Sequence, residues 1–109
     1  MTEAGRRGDA HRMLLRALRE RPGTGEAPAI GATRGEAWAS ATFRGMRHMI
    51  TLRFVGTDAA GRAGRMADGM DAIEFDLPGH LVADITVTGR QEDDDGVALT
   101  IEALTVEDA

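Results

Sequence analysis

The chain has 109 residues, with 13 basic residues that are all arginine, 18 acidic residues and no cysteine. This length fits one domain with a modest core, and the lack of cysteine excludes disulfides and cysteine-ligated metals. No apolar run approaches the roughly 18 residues of a membrane helix, and the arginine-rich N-terminus is unlike an export signal. We therefore expect a cytoplasmic protein with no membrane partner.

The two halves of the chain carry opposite charge. Residues 1–54 have a net charge of +5, and residues 55–109 have a net charge of −10. A chain with this balance is a poor nucleic-acid binder, because phosphate neutralisation needs a basic surface. Opposite charges can instead attract each other, within one chain or between two copies.

The first third of the chain predicts one helix and little else. We expect residues 1–8 to be disordered and residues 9–21 to form a helix, with Asp9 as its N-cap. Residues 22–36 are mostly glycine, proline, alanine and threonine, which predicts a flexible linker. The helix places apolar side chains at helical spacing at Ala10, Leu14, Ala17 and Leu18.

A hairpin is predicted next, because apolar residues alternate along residues 37–55. A turn at Gly45-Met46 pairs Phe43 with His48 and aligns the apolar sides of both strands. This pairing places His48, Ile50, Leu52 and Phe54 toward the core. It leaves Trp38 and Met49 as neighbours on the opposite side.

The rest of the chain predicts a helix near Ala59–Gly69 and three strands. The strands cover about 73–77, 81–87 and 97–103, and residues 107–109 form a disordered tail. The fold class is therefore α+β, a two-layer sandwich with an antiparallel sheet of four to five strands and helices on one face. The element order is α-β-β-α-β-β-β, and residues 37–106 form the core.

The function that we favour from the sequence is a non-catalytic binding or accessory module that forms a homodimer. The only tryptophan is predicted on a sheet face that no helix covers, and exposed apolar patches of this kind mark interfaces. The predicted interface residues are Trp38, Met49, Arg53 and Val82. The alternative interpretation is that the first helix covers Trp38.

A second class of function is a small enzyme or ligand-binding protein. His48 and His80 would line a pocket for a small molecule, with Arg47 and Asp84 as further polar groups. Such histidines also occur at core edges without any chemical role. The single serine, Ser40, lies mid-strand in this prediction and no phosphate-binding glycine motif is present, so no catalytic residue or cofactor is predicted.

The acidic segment near the C-terminus gives a third hypothesis. Counted from Gln91, the residues Asp93, Asp95 and Glu102 match the spacing of a calcium-binding loop. The residues after Gly96 alternate as a strand, however, whereas that loop needs a helix to return its glutamate. A hairpin turn at Asp94-Asp95-Gly96 fits the flanking pattern better.

Overall fold

A computed structural model describes residues 3–21 and 25–108. Two helices and a four-stranded antiparallel sheet make an α+β fold. The elements in chain order are α1 (Glu3–Arg19), β1 (Ala29–Ala39), β2 (Arg44–Val55), α2 (Ala59–Ala67), β3 (His80–Asp93) and β4 (Gly96–Glu107), with a 3-10 turn at Met70–Ala72 after α2.

The strands lie in the order β1-β2-β4-β3, and every neighbouring pair is antiparallel. Alternate residues of each strand point to opposite sides of the sheet. One side, the core face, packs against both helices, and the other, the outer face, has neither helix on it. The buried cluster of the core face and helices comprises Leu14, Leu18, Ile50, Leu52, Phe54, Ala63, Met66, Met70, Leu77, Ile85, Val97, Leu99, Ile101 and Ala103.

The predicted fold class and the one-sided placement of the helices are confirmed. Helix α1 docks on its own chain, because Ala10, Leu14 and Leu18 are buried against the sheet. It begins at Glu3, so residues 3–8, expected to be disordered, are helical. The predicted disorder at Met1, Thr2 and Ala109 lies outside the described residues. At the C-terminus, β4 continues to Glu107, and the Asp108 amide donates to the Gly79 carbonyl.

The predicted linker is wrong for residues 29–36, because these residues form most of β1. Their small side chains suit an exposed edge strand, and nearly all of β1 is exposed. The amino-acid composition of these residues resembles that of a linker because this strand contributes little to the core. The first part of the predicted linker, residues 22–24, lies outside the described residues.

The predicted turn at Gly45-Met46 is also wrong. The hairpin turns at Ser40–Phe43 instead, where the Ser40 hydroxyl accepts hydrogen bonds from the amides of Thr42 and Phe43. The register therefore pairs Gly35 with His48 and Trp38 with Gly45. The residues that remain in β1 and β2 keep the side of the sheet that was predicted for them, but their cross-strand partners change. Phe43, which was predicted to pair with His48, lies in the turn and is 55% exposed.

The predicted strand at residues 73–77 contributes only one bridge, between Leu77 and His80. Pro78 and Gly79 lie between these residues, and Gly79 has a positive φ of 83°. This bridge closes a tight turn, and β3 begins at the end of that turn. The sheet consequently has four full strands.

Candidate functional site

The outer face carries an apolar row at the end of the sheet where β1 turns into β2. Trp38, Gly45, Val106 and Leu81 are register partners across all four strands, and partners of this kind share one side of a sheet. Leu81 is 56% exposed, whereas Trp38 and Val106 are half-buried. Leu104 follows in the next row of the outer face.

Trp38 lies against its partner glycine. A Cβ atom at Gly45 would approach the Trp38 Nε1 atom to 2.9 Å and would overlap the Thr105 carbonyl oxygen. An aromatic ring that covers a cross-strand glycine in this way shields its backbone. The Trp38 Nε1 atom is itself enclosed, with no hydrogen-bond partner among the described residues. The ring therefore lies against the backbone of Gly45, and part of its apolar surface remains exposed.

Charged residues on the outer face separate by sign between the two halves of the sheet, with Glu36 as the exception. The β1–β2 half carries Arg34, Glu36, Arg47 and Arg53, and the β4–β3 half carries Glu102, Asp84 and Asp93. Among the residues that the structure describes, two ion pairs form on this face, Arg34–Glu36 at 2.6 Å and Arg53–Asp93 at 2.9 Å. The arginine beside each carboxylate lowers the pKa of Glu36 and of Asp93.

The structure places three of the four predicted interface residues on the outer face: Trp38, Met49 and Arg53. Trp38 and Met49 are not neighbours, because Met49 pairs with Arg34. Val82 is misplaced in the prediction, since it pairs with the buried Thr105 and packs against the core. The cause is a β-bulge between Val82 and Asp84, which moves Leu81 to the outer face.

The four predicted pocket residues do not converge. His48 and His80 are buried on the core face. Arg47 and Asp84 both pair with Leu104, so they lie on the outer face with the sheet between them and the histidines. Asp84 alternates with its buried neighbour Ile85, which places Asp84 on the outer face.

A third histidine, His11 of α1, completes a polar cluster that the sequence analysis missed. The Nδ1 atoms of His11 and His48 are 2.8 Å apart, and the two rings are parallel. Helical spacing places His11 next to the buried stripe of α1, which is the signal that could have found it. Gly35 makes room for the ring, because a Cβ atom there would lie 3.3 Å from His11 Nδ1.

The hydrogen bonds of this cluster favour one protonation pattern. The Thr105 hydroxyl reaches the Met46 carbonyl at 3.4 Å and His48 Nε2 at 2.9 Å. Since the hydroxyl donates to the carbonyl, His48 Nε2–H donates to the hydroxyl, and His48 Nδ1 accepts from His11 Nδ1–H. Each proton then has one acceptor while both rings are neutral.

Burial, reinforced by nearby His11 and His80, lowers the pKa of His48 to about 4. Burial also lowers the pKa of His11. Protonation of His48 would place an N–H group against His11 and remove the acceptor of that bond. The Nε2 atom of His80 is enclosed and has no hydrogen-bond partner among the described residues.

The predicted calcium residues are also separated. The Asp93 carboxylate accepts hydrogen bonds from the amides of Asp95 and Gly96, which closes the β3–β4 hairpin. Glu102 lies six residues along β4, opposite Met49. Within residues 3–21 and 25–108, no three His, Asp or Glu side chains are grouped to hold a metal ion. The hairpin interpretation of this segment is the correct one.

Comparisons with protein-family models, with curated protein sequences and with solved structures each find no match. In the described part of the chain, neither helix is long and apolar enough to cross a membrane.

Proposed function

We propose that this chain is a small non-catalytic binding module that self-associates through the outer face of its sheet. The observation that carries the proposal is the apolar row of Trp38, Val106 and Leu81 on a face that neither helix covers. Exposed apolar rows of this kind, bordered by charged residues, are typical of interfaces.

The outer face is large enough for a stable dimer. It consists of four strands of 11 to 14 residues. With about 4.8 Å between strands and about 3.3 Å per residue, it offers roughly 700 Å² per copy. Two such faces bury roughly 1,400 Å², which lies within the range of specific interfaces.

Pairing through a face is favoured over pairing through a sheet edge. Both edge strands contain bulges, between Ile30 and Thr33 in β1 and between Val82 and Asp84 and between Val87 and Gly89 in β3. Bulges interrupt the row of hydrogen-bonding groups that a further strand would need. The outer face presents both signs of charge together with an apolar row, so a second copy of this chain suits it.

The test introduces a charge into the apolar row. Leu81→Arg places a cation at an exposed position that contributes little to the core. The matched control, Ala60→Arg, adds the same charge at an exposed position of α2, on the opposite side of the molecule. We expect native mass spectrometry to show a dimer for the native chain and the control, and a monomer for Leu81→Arg.

Trp38→Ala is the complementary variant, and it should also lower the oligomer mass. Circular dichroism melting verifies that each variant is folded. A native chain that is monomeric at micromolar concentration, or a folded Leu81→Arg variant that remains dimeric, would contradict the proposal.

A second candidate function is small-molecule binding at the buried histidines. The contact between His11 and His48 and the enclosed Nε2 atom of His80 favour it. In that case the native mass spectrum of the purified protein would show an added mass that His48→Gln loses. A spectrum without added mass would contradict this second function and leave self-association as the function that we propose. We also propose a cytoplasmic location, as predicted from the sequence.

A further inference from the structure

The separation of charge on the outer face has a geometric consequence for a dimer. The β1–β2 half carries three arginines and one glutamate, whereas the β4–β3 half carries only carboxylates among its charged groups. The glutamate, Glu36, already forms an ion pair with Arg34. One half of the face is therefore positive and the other half is negative.

Two faces related by a two-fold axis, with their strands aligned, can meet in two ways, because the axis between the sheets then runs either along the strands or across them. An axis along the strands places the β1–β2 half against the partner's β4–β3 half and keeps each end of the sheet opposite the same end. An axis across the strands places each half against its own copy and exchanges the ends.

The charges distinguish these arrangements. With the axis across the strands, Arg47 and Arg53 of β2 would face the same two arginines of the second copy, and the row containing Trp38 would face the end that carries Asp93. Like charges opposed across an interface are strongly unfavourable. With the axis along the strands, the net positive half meets the net negative half, and the two apolar rows meet each other. This arrangement sets Glu36 opposite Asp84 of the partner subunit, but Glu36 is already paired with Arg34.

We infer that the dimer has its two-fold axis parallel to the strands, with Trp38 packed against Leu81 of the partner subunit. This inference rests on the proposed self-association. The partner is a second copy of this chain, and its β3 strand lies over β1. Since the aromatic ring already covers Gly45, Trp38 offers a flat apolar surface to that contact.

Cysteine cross-linking tests the axis directly, because the native chain has no cysteine. Ala98→Cys and Leu104→Cys place one thiol each on the outer face of β4, next to the proposed axis and near opposite ends of the sheet. Six residues separate the positions, which is about 20 Å along a strand. Ala60→Cys on α2 is the control for random collision.

With the axis along the strands, each thiol lies close to its own copy. A short bis-maleimide should then link each variant to itself several-fold more than it links Ala60→Cys. An equilibrated mixture of the two variants, whose products differ in mass, should give little mixed product. The yield of both self-linked products should fall as salt is raised, because salt screens the attraction between the halves.

The opposite pattern, in which the mixed product exceeds both self-linked products, would overturn the axis while leaving self-association in place. A monomer in the native mass spectrum would contradict both the proposed axis and the proposed self-association. Yields for both variants no higher than the Ala60→Cys control, in a protein that is a dimer by mass, would show that the copies associate elsewhere.

Discussion

The two faces of the sheet are built from the same strands and yet have opposite chemistry. In β2, the alternate residues Ile50, Leu52 and Phe54 are fully buried, whereas Met49 and Val55, which flank them, are about half exposed. The buried part of the core face is apolar except for His48, His80 and Thr105. The outer face combines an apolar row at one end with charged residues, threonines and the exposed apolar residues Met49 and Val55 elsewhere. Stability therefore depends on one face, and association is expected to depend on the other.

The largest difference between the faces should appear in a pair of adjacent substitutions. Phe54→Ala removes a fully buried ring and should lower the free energy of unfolding by about 3–5 kcal/mol. Val55→Ala, one residue later and on the outer face, should change it by less than about 1 kcal/mol. Urea unfolding measures both values. A similar loss for the two variants would mean that the monomer already buries its outer face.

Acid should act on the core face through His48. Its pKa is lowered from 6.5 to about 4, so the neutral ring is favoured in the folded state. The unfolded chain therefore binds the proton more tightly, and stability that is complete above pH 6.5 is lost as the pH falls toward 4. The loss is about 3 kcal/mol, since one pKa unit corresponds to about 1.4 kcal/mol.

Urea unfolding of the native chain and of His48→Gln across this pH range isolates the contribution of His48. The carboxylates titrate in both proteins and largely cancel in the difference. An equal slope of stability against pH for the two proteins would show that His48 is accessible to protons in the folded state.

Replacing a glycine by alanine should change stability less than the substitutions above, and the change should have opposite signs on the two faces of the sheet. At Gly35 a new Cβ would lie 2.9 Å from Met46 Sδ and 3.3 Å from His11 Nδ1. Gly35→Ala should therefore push His11 away from His48 and lower stability by about 1–2 kcal/mol. Thermal melting measures this loss, and NMR titration of His48 should show its pKa rising as the contact with His11 weakens.

The matched control is Gly89→Ala on the outer face. Its Cβ would meet Thr100 at an ordinary 3.5 Å, and the φ of Gly89 is not positive. This change should be neutral or stabilising, by up to about 1 kcal/mol, because alanine restricts the unfolded chain. If Gly89→Ala is as harmful as Gly35→Ala, space for His11 is not the reason for the glycine.

The smallest effect is expected from the outer-face ion pair of Arg53 and Asp93. Exposed pairs contribute little to stability, so Arg53→Gln should leave the melting temperature of the monomer nearly unchanged. The pKa of Asp93 should rise, because Arg53 is the main cause of its lowering, but it should stay below its ordinary value through the amides of Asp95 and Gly96. NMR titration of the Asp93 carboxyl measures this shift, with Asp93→Asn used to assign the signal.

The β2 pattern shows how far prediction from the sequence could go. Alternation alone assigned His48, Ile50, Leu52 and Phe54 to the core face, and all four are buried. The β1–β2 register could not be obtained in the same way, because Ser40 and Gly45 both carry turn signals. The Ser40 hydroxyl forms the turn, whereas Gly45 is needed where Trp38 and the Thr105 carbonyl approach β2.

The candidate sites depended on features that alternation does not encode. One bulge between Val82 and Asp84 removed Val82 from the predicted interface. A bulge adds one residue to one strand, and few local signals mark it. His11 was missed as a partner of His48 because the two lie 37 positions apart, and only the docking of α1 brings them together.

The amino-acid sequence by itself determined the α+β class, the two helices, the buried side of β2 and the charge difference between the two halves. These properties follow from local periodicity and composition, which act over a few residues at a time. Tertiary structure alone decided the strand register, the apolar row from Trp38 to Leu81 and the histidine cluster. Each of these depends on contacts between distant segments, where one bulge or one turn changes which residues meet.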